Sequence, residues 1–97
     1  MPPVRASKPS RDEAERIALE ALGYLVADED RLWAFLAATG LEPGTIRQAA
    51  RTPGFLVAVL DHVAANEGLL IELAATLAIK PERLMEARHT LAPEPFE

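Results

Sequence analysis

A chain of 97 residues with ten basic and fifteen acidic side chains, net charge −5, is long enough for one domain with a modest hydrophobic core. It has no cysteine, which excludes disulfides, thiolate zinc sites and cysteine nucleophiles, and its acidic balance works against nucleic acid unless the basic residues gather on one face. The longest apolar stretches, around residues 55–60 and 69–79, are interrupted by Asp61, Gly68 and Glu72 and are too short to span a bilayer.

Residues 1–9 hold three prolines and no periodicity, which predicts a disordered tail. The run has no apolar stretch, so a secretion signal is not expected. Ser10 to Glu13 then read as a capping box, the serine accepting from the Glu13 backbone while the glutamate reaches back. The first helix follows from about Arg11 to Ala27, with an apolar stripe of Ala14, Ala18, Ala21, Leu22 and Leu25 widened by Ile17, Leu19 and Val26. Asp28 is placed to cap a second helix ending near Thr39, and Gly40 is placed to stop it. Pro43 opens a short third helix through Ile46 to Ala50. Thr52 and Pro53 are a cap and first-position proline for a fourth helix carrying Phe55, Leu56, Val59, Leu60 and Val63. Asn66 caps a fifth helix with Leu70, Leu73, Ala74 and Leu77 on its stripe. Pro81 starts a sixth, which carries Leu84, Ala87 and Leu91. Residues 92–97 are proline-rich and predict a second disordered tail. No window alternates with period two, so no strand is expected.

The chain nearly repeats itself at an offset of 38, residues 22–49 over residues 60–87. Leu22/Leu60, Ala27/Ala65, Glu29/Glu67, Leu32/Leu70, Ala37/Ala75, Pro43/Pro81 and Ala49/Ala87 are identical. The expectation is an all-α, compact six-helix domain over residues 10–91, built from two pseudo-repeated three-helix units. The second and fifth helices are the most apolar all round and are expected at its centre.

Positions that could carry chemistry differ between the copies. Tyr24 stands against His62, Asp28 against Asn66, Arg47 against Met85 and Arg51 against His89. Phe35 to Arg47 and Leu73 to Leu84 both have the outline of a helix-turn-helix. That reading makes Arg47, Arg51, Arg83 and Arg88 the DNA contacts, provided they share one face. The same spacing describes any short αα-corner. Asp28, Glu29 and Asp30, with Asn66 and Glu67, could hold a hard cation if the copies face each other, yet helix capping accounts for Asp28 and Asn66 without one. Ser7 and Ser10 are the only serines, and neither histidine has a partner fixed by sequence. No nucleophile–base–orienter set and no phosphate-binding glycine loop can be assembled. The chain therefore reads as a non-enzyme that needs no cofactor. Tyr24, Trp33, Leu69 and Ile71 sit at the edges of their stripes, and any left exposed would make a surface for another protein or a second copy of the chain.

Asp28 to Leu32, the "TGL-x-P" corner of Thr39 to Pro43, and the "PGFL-x-x-VLD" helix of Pro53 to Asp61 resemble domain-of-unknown-function family 3572, a family of small bacterial helical proteins. The resemblance covers about residues 11–90. Asn66 stands where an acidic residue is usual in that family, and Ala78 where a glycine is. The resemblance implies a helical fold and carries over no functional residue. Residues and resemblance together lead to a non-enzymatic interaction or homo-oligomerising module of the bacterial cytoplasm, with a helix-turn-helix DNA binder as the alternative.

Overall fold

A computed structural model describes residues 9–50 and 52–92. Among them six helices follow one another: α1 Arg11–Val26, α2 Glu29–Thr39, α3 Ile46–Ala49 entered through a 3-10 turn Pro43–Thr45, α4 Pro53–Ala64, α5 Glu67–Leu77 and α6 Pro81–Leu91. The described part is all-α, as the periodicity requires. Residues 1–8 and 93–97, and with them most of the two expected tails, lie outside the described residues, as does Arg51. Pro9 is buried, and its carbonyl accepts a hydrogen bond from the Thr90 hydroxyl at 3.2 Å.

The helix boundaries follow local chemistry. Side chains of Ser10, Asp28, Thr52 and Asn66 each accept from the backbone N–H three residues on, at 3.0–3.3 Å. Each satisfies a donor that the helix start leaves without an intrahelical partner. Two of the helices end in the left-handed conformation. Gly40 closes α2 at φ 75°, its N–H donating to the Leu36 carbonyl. Ala78 closes α5 at φ 61°, its N–H donating to Ala75 and that of Ile79 to Ala74, the paired bonds of a Schellman motif.

α1, α4 and α6 form the centre, packed against one another, with α2 on α1 and α4, and α5 on α4, α6 and α1. This corrects the expectation that α2 and α5 are central. α1 presents Ala14, Ala18 and Ala21, all fully buried, beside Ile17 and Leu25. Those small side chains let two neighbouring helices approach closely. α4 offers Phe55, Leu56, Val59, Leu60 and Val63, a broad apolar face that meets α1 and α6 together. α6 completes the trio with Leu84, Ala87 and Leu91. On α2 only Phe35 and Leu36 are buried; Leu32 is half-buried, and the rest of its apolar content is Trp33 and three alanines on the outer side. Among the described residues Phe35 is the largest fully buried side chain, and it meets Phe55 edge-on at 5.8 Å.

Caps and burial recur at the 38-residue offset through the first two helices of each half. Asp28 and Asn66 cap, Phe35 and Leu73 are buried, Trp33 and Ile71 are exposed, and Gly40 and Ala78 take positive φ. The halves part at the third helix, where Pro43–Thr45 and α3 together run seven residues against eleven in α6. Among the described residues no single helix is long and apolar enough to cross a membrane. α4 and α5 would suffice only in sum, and they meet at a bend of 110°.

Candidate functional site

Four positions were singled out as a partner surface, and the fold divides them. Trp33 and Ile71 are 55% and 54% exposed, the two most exposed large apolar side chains among the described residues. They occupy equivalent places on α2 and α5. Around Trp33 the outward side of α2 continues as Ala34, Ala37 and Ala38, all exposed. Leu69 is only 9% exposed and belongs to the core. It lies one helical turn before the fully buried Leu73 and so faces inward with it. Tyr24 is half-buried. Its hydroxyl donates to Glu72 Oε1 at 3.1 Å, and the Arg31 guanidinium lies 4.1 Å from its ring centroid. Arg31 in turn pairs with Glu72 at 3.8 Å. Tyr24 thus ties α1 to the first turn of α2 and the second turn of α5, through polar contacts that water screens strongly.

Next to this cluster is a cleft of about 330 Å³ lined by Arg31, Ala34, His62, Asn66, Leu69 and Glu72. The His62 ring stands edge-on to Phe35 at 5.3 Å. Partial burial holds its pKa below the ordinary 6.5, so the neutral imidazole is favoured. The lining offers no hydroxyl or thiol for that imidazole to activate. Asp28 and Asn66 use their side-chain oxygens as caps, and among the described residues no three His, Cys, Asp or Glu side chains gather as metal ligands would.

Of the four arginines of the DNA-binding reading, Arg51 lies outside the described residues. Arg47 is exposed on α3. Arg83 binds Glu13 at 2.7 Å and Glu86 at 3.5 Å, and Arg88 binds Asp61. The Arg83 hydrogen bond holds the Glu13 carboxyl below the usual 4.5 and raises Arg83 itself. Two of the four basic side chains are therefore matched to carboxylates within the fold.

A further surface was not read from the sequence. A groove of about 370 Å³ runs between α1 and α3, lined by Leu22, Val26, Leu32, Ile46, Ala50 and Arg47. Leu19 and Val26, read as widening the stripe of α1, stay 46% and 42% exposed. The signal was present in the spacing, since the Thr52–Pro53 start of α4 leaves α3 too few residues to cover them.

A family model described as "Protein of unknown function (DUF3572)" matches residues 11–94. The chain belongs to that family. The DUF3572 match spans all six helices, so the α2 face, the His62 cleft and the α1–α3 groove all lie within the family's domain. Its description assigns none of them a role. No curated protein and no solved structure matches the chain.

Proposed function

We propose that this DUF3572 domain is a non-enzymatic interaction module of the bacterial cytoplasm, engaging another protein or a second copy of itself through the outer faces of α2 and α5. The supporting observation is α2. Seven of its eleven residues are apolar, Leu32 through Ala38, yet only Phe35 and Leu36 are buried. A helix apolar all round normally lies inside a protein. Here it lies at the periphery with its tryptophan outward, the residue type most enriched at the energetic centre of interfaces. The alanines beside Trp33 present a shallow surface with little side-chain entropy to lose on contact.

The test measures mass against concentration by sedimentation equilibrium, and partner capture from native lysate, for the parent chain and for Trp33→Ser and Ile71→Ser. The expected result is self-association, or retention of one defined protein, lost in Trp33→Ser. A chain that stays monomeric and retains nothing dependent on Trp33 would overturn the proposal. The helix-turn-helix alternative has less support. Affinity for duplex DNA rests on phosphate neutralisation, and Arg83 and Arg88 already face carboxylates. Salt-sensitive binding to duplex DNA, weakened by Arg47→Ala, would restore it.

A further inference from the structure

We propose that two copies of this chain pair about a two-fold axis, each seating Trp33 of α2 in the groove between α1 and α3 of its partner, with Glu29 and Asp30 against the partner's Arg47. This pairing rests on the interaction reading above and deepens it, naming the partner as a second copy and the place where Trp33 lands.

α2 has a different apolar feature on each of two adjoining sides. Leu32 lines the groove with Leu22, Val26 and Ile46. Trp33 is the next residue, about 100° further round the helix, and it stands 55% exposed. An apolar projection and an apolar hollow therefore adjoin across a single helix, and the chain's own fold covers neither. A two-fold axis beside α2 turns each projection toward the other copy's hollow, so every contact is made twice. The groove, about 370 Å³, has room for an indole. Its wall is extended along α1 by Leu19, two turns before Val26 on the same face and likewise exposed.

Charge selects the occupant. Arg47 is the one charged residue on the groove lining, and it is exposed. Glu29 and Asp30 are exposed one turn before Trp33, on its side of α2. Among the described residues none of the three forms an ion pair within the chain. α2 thus presents an indole flanked by acids, and the groove is an apolar hollow with a base on it, so the groove's complement is on the chain itself. Each copy carries a net charge of −5, which favours association only through a face that sets acids against a base. The second half does not duplicate this match. Ile71 is exposed as Trp33 is, but Leu60 and Leu84, the counterparts of Leu22 and Ile46, are core residues, and Met85 stands where Arg47 does. One projection and one groove per copy, related by a two-fold, close the assembly at two.

Trp33 is the chain's one tryptophan, so its fluorescence reports its own burial. As concentration rises from micromolar to millimolar, sedimentation equilibrium should pass from monomer to dimer, and the emission should shift to the blue in step. Trp33→Ser, Val26→Glu and Arg47→Glu should each weaken dimerisation by about tenfold or more. The deciding sample is a mixture. Arg47→Glu sets an acid against acids, and Glu29→Lys with Asp30→Lys sets lysines against Arg47, so neither variant should pair with itself. Mixed in equal amounts the two variants match charges at both contacts, and they should dimerise with about the parent affinity. Lysines at the start of α2 also oppose the helix dipole; unchanged circular dichroism and recovery in the mixture separate that effect from lost pairing. A dimer that Trp33→Ser dissociates but Val26→Glu leaves intact, or no recovery in the mixture, would overturn the inference and leave the reading above standing. So would a chain that stays monomeric but retains another protein through Trp33. A chain that stays monomeric and retains nothing would overturn both.

Discussion

Ala78→Gly is expected to stabilise this domain, and Gly40→Ala to destabilise it by a similar amount. Both residues end a helix in the left-handed region, at φ 61° and 75°. An L residue pays roughly 1–2 kcal/mol there, because its Cβ crowds the following carbonyl. Glycine avoids that cost but gives the unfolded chain more freedom, which offsets about 0.4–1 kcal/mol. The net gain for Ala78→Gly is therefore about 1 kcal/mol. The Schellman bonds from Ala78 and Ile79 are backbone bonds and survive the exchange. At Gly40 an added Cβ would meet nothing within 4 Å, so Gly40→Ala carries the conformational cost without a clash. For 97 residues the unfolding entropy near the midpoint is about 0.2 kcal/mol/K, so 1 kcal/mol moves Tm by about 5 °C. Thermal and urea unfolding followed by far-UV circular dichroism measure both variants. If Ala78→Gly leaves Tm unchanged or lowers it, or if Gly40→Ala has no effect, the reading of these two helix ends is wrong.

Further outcomes follow from the packing, the caps and the titrating groups. Phe35→Ala should cost about 3–5 kcal/mol, because a fully buried ring in contact with Phe55 and His62 is removed. Trp33→Ser, two residues earlier, should stay within about 0.5 kcal/mol in the isolated chain, and equal costs in urea unfolding would contradict the outward placement of Trp33. Asn66→Ala removes the 3.2 Å bond to the Leu69 N–H and should cost about 0.5–2 kcal/mol, read as a lower urea midpoint with unchanged slope. His62 titrates lower in the folded chain than in the unfolded one, so the unfolded state takes up its proton first. Its contribution is complete above the ordinary value of 6.5 and is lost as pH falls from there through the folded value. His62→Gln should flatten the stability profile between about pH 7 and pH 5. An unchanged slope in that window would remove His62 as its source. Glu13 has its pKa lowered by Arg83, so its contribution is lost in a separate, more acidic window below 4.5.

Most of the fold was legible because helix starts and stops are local. A capping side chain acts on a backbone N–H three residues away, and a proline or glycine acts on its own dihedrals, so Ser10, Asp28, Gly40, Thr52, Asn66 and Pro81 could be placed from their neighbours alone. The exposed tryptophan was legible only as one option among several. Periodicity puts Trp33 and Leu69 at similar distances from their stripes and does not say which stripe edge meets another helix.

The sequence by itself determined six helices, their ends, the family and the places where one half echoes the other. Only the tertiary structure decided which helices are central. Composition favoured α2 and α5, but close approach depends on small residues aligned on one face, and α1 has that face in Ala14, Ala18 and Ala21. Tertiary structure also decided that Trp33 and Ile71 face outward while Leu69 faces inward, and that Arg83 and Arg88 meet carboxylates of other helices. It opened the α1–α3 groove as well, because coverage of Leu19 and Val26 depends on how far a neighbouring helix extends along α1. Such contacts join residues far apart in the chain, and local spacing carries no record of them.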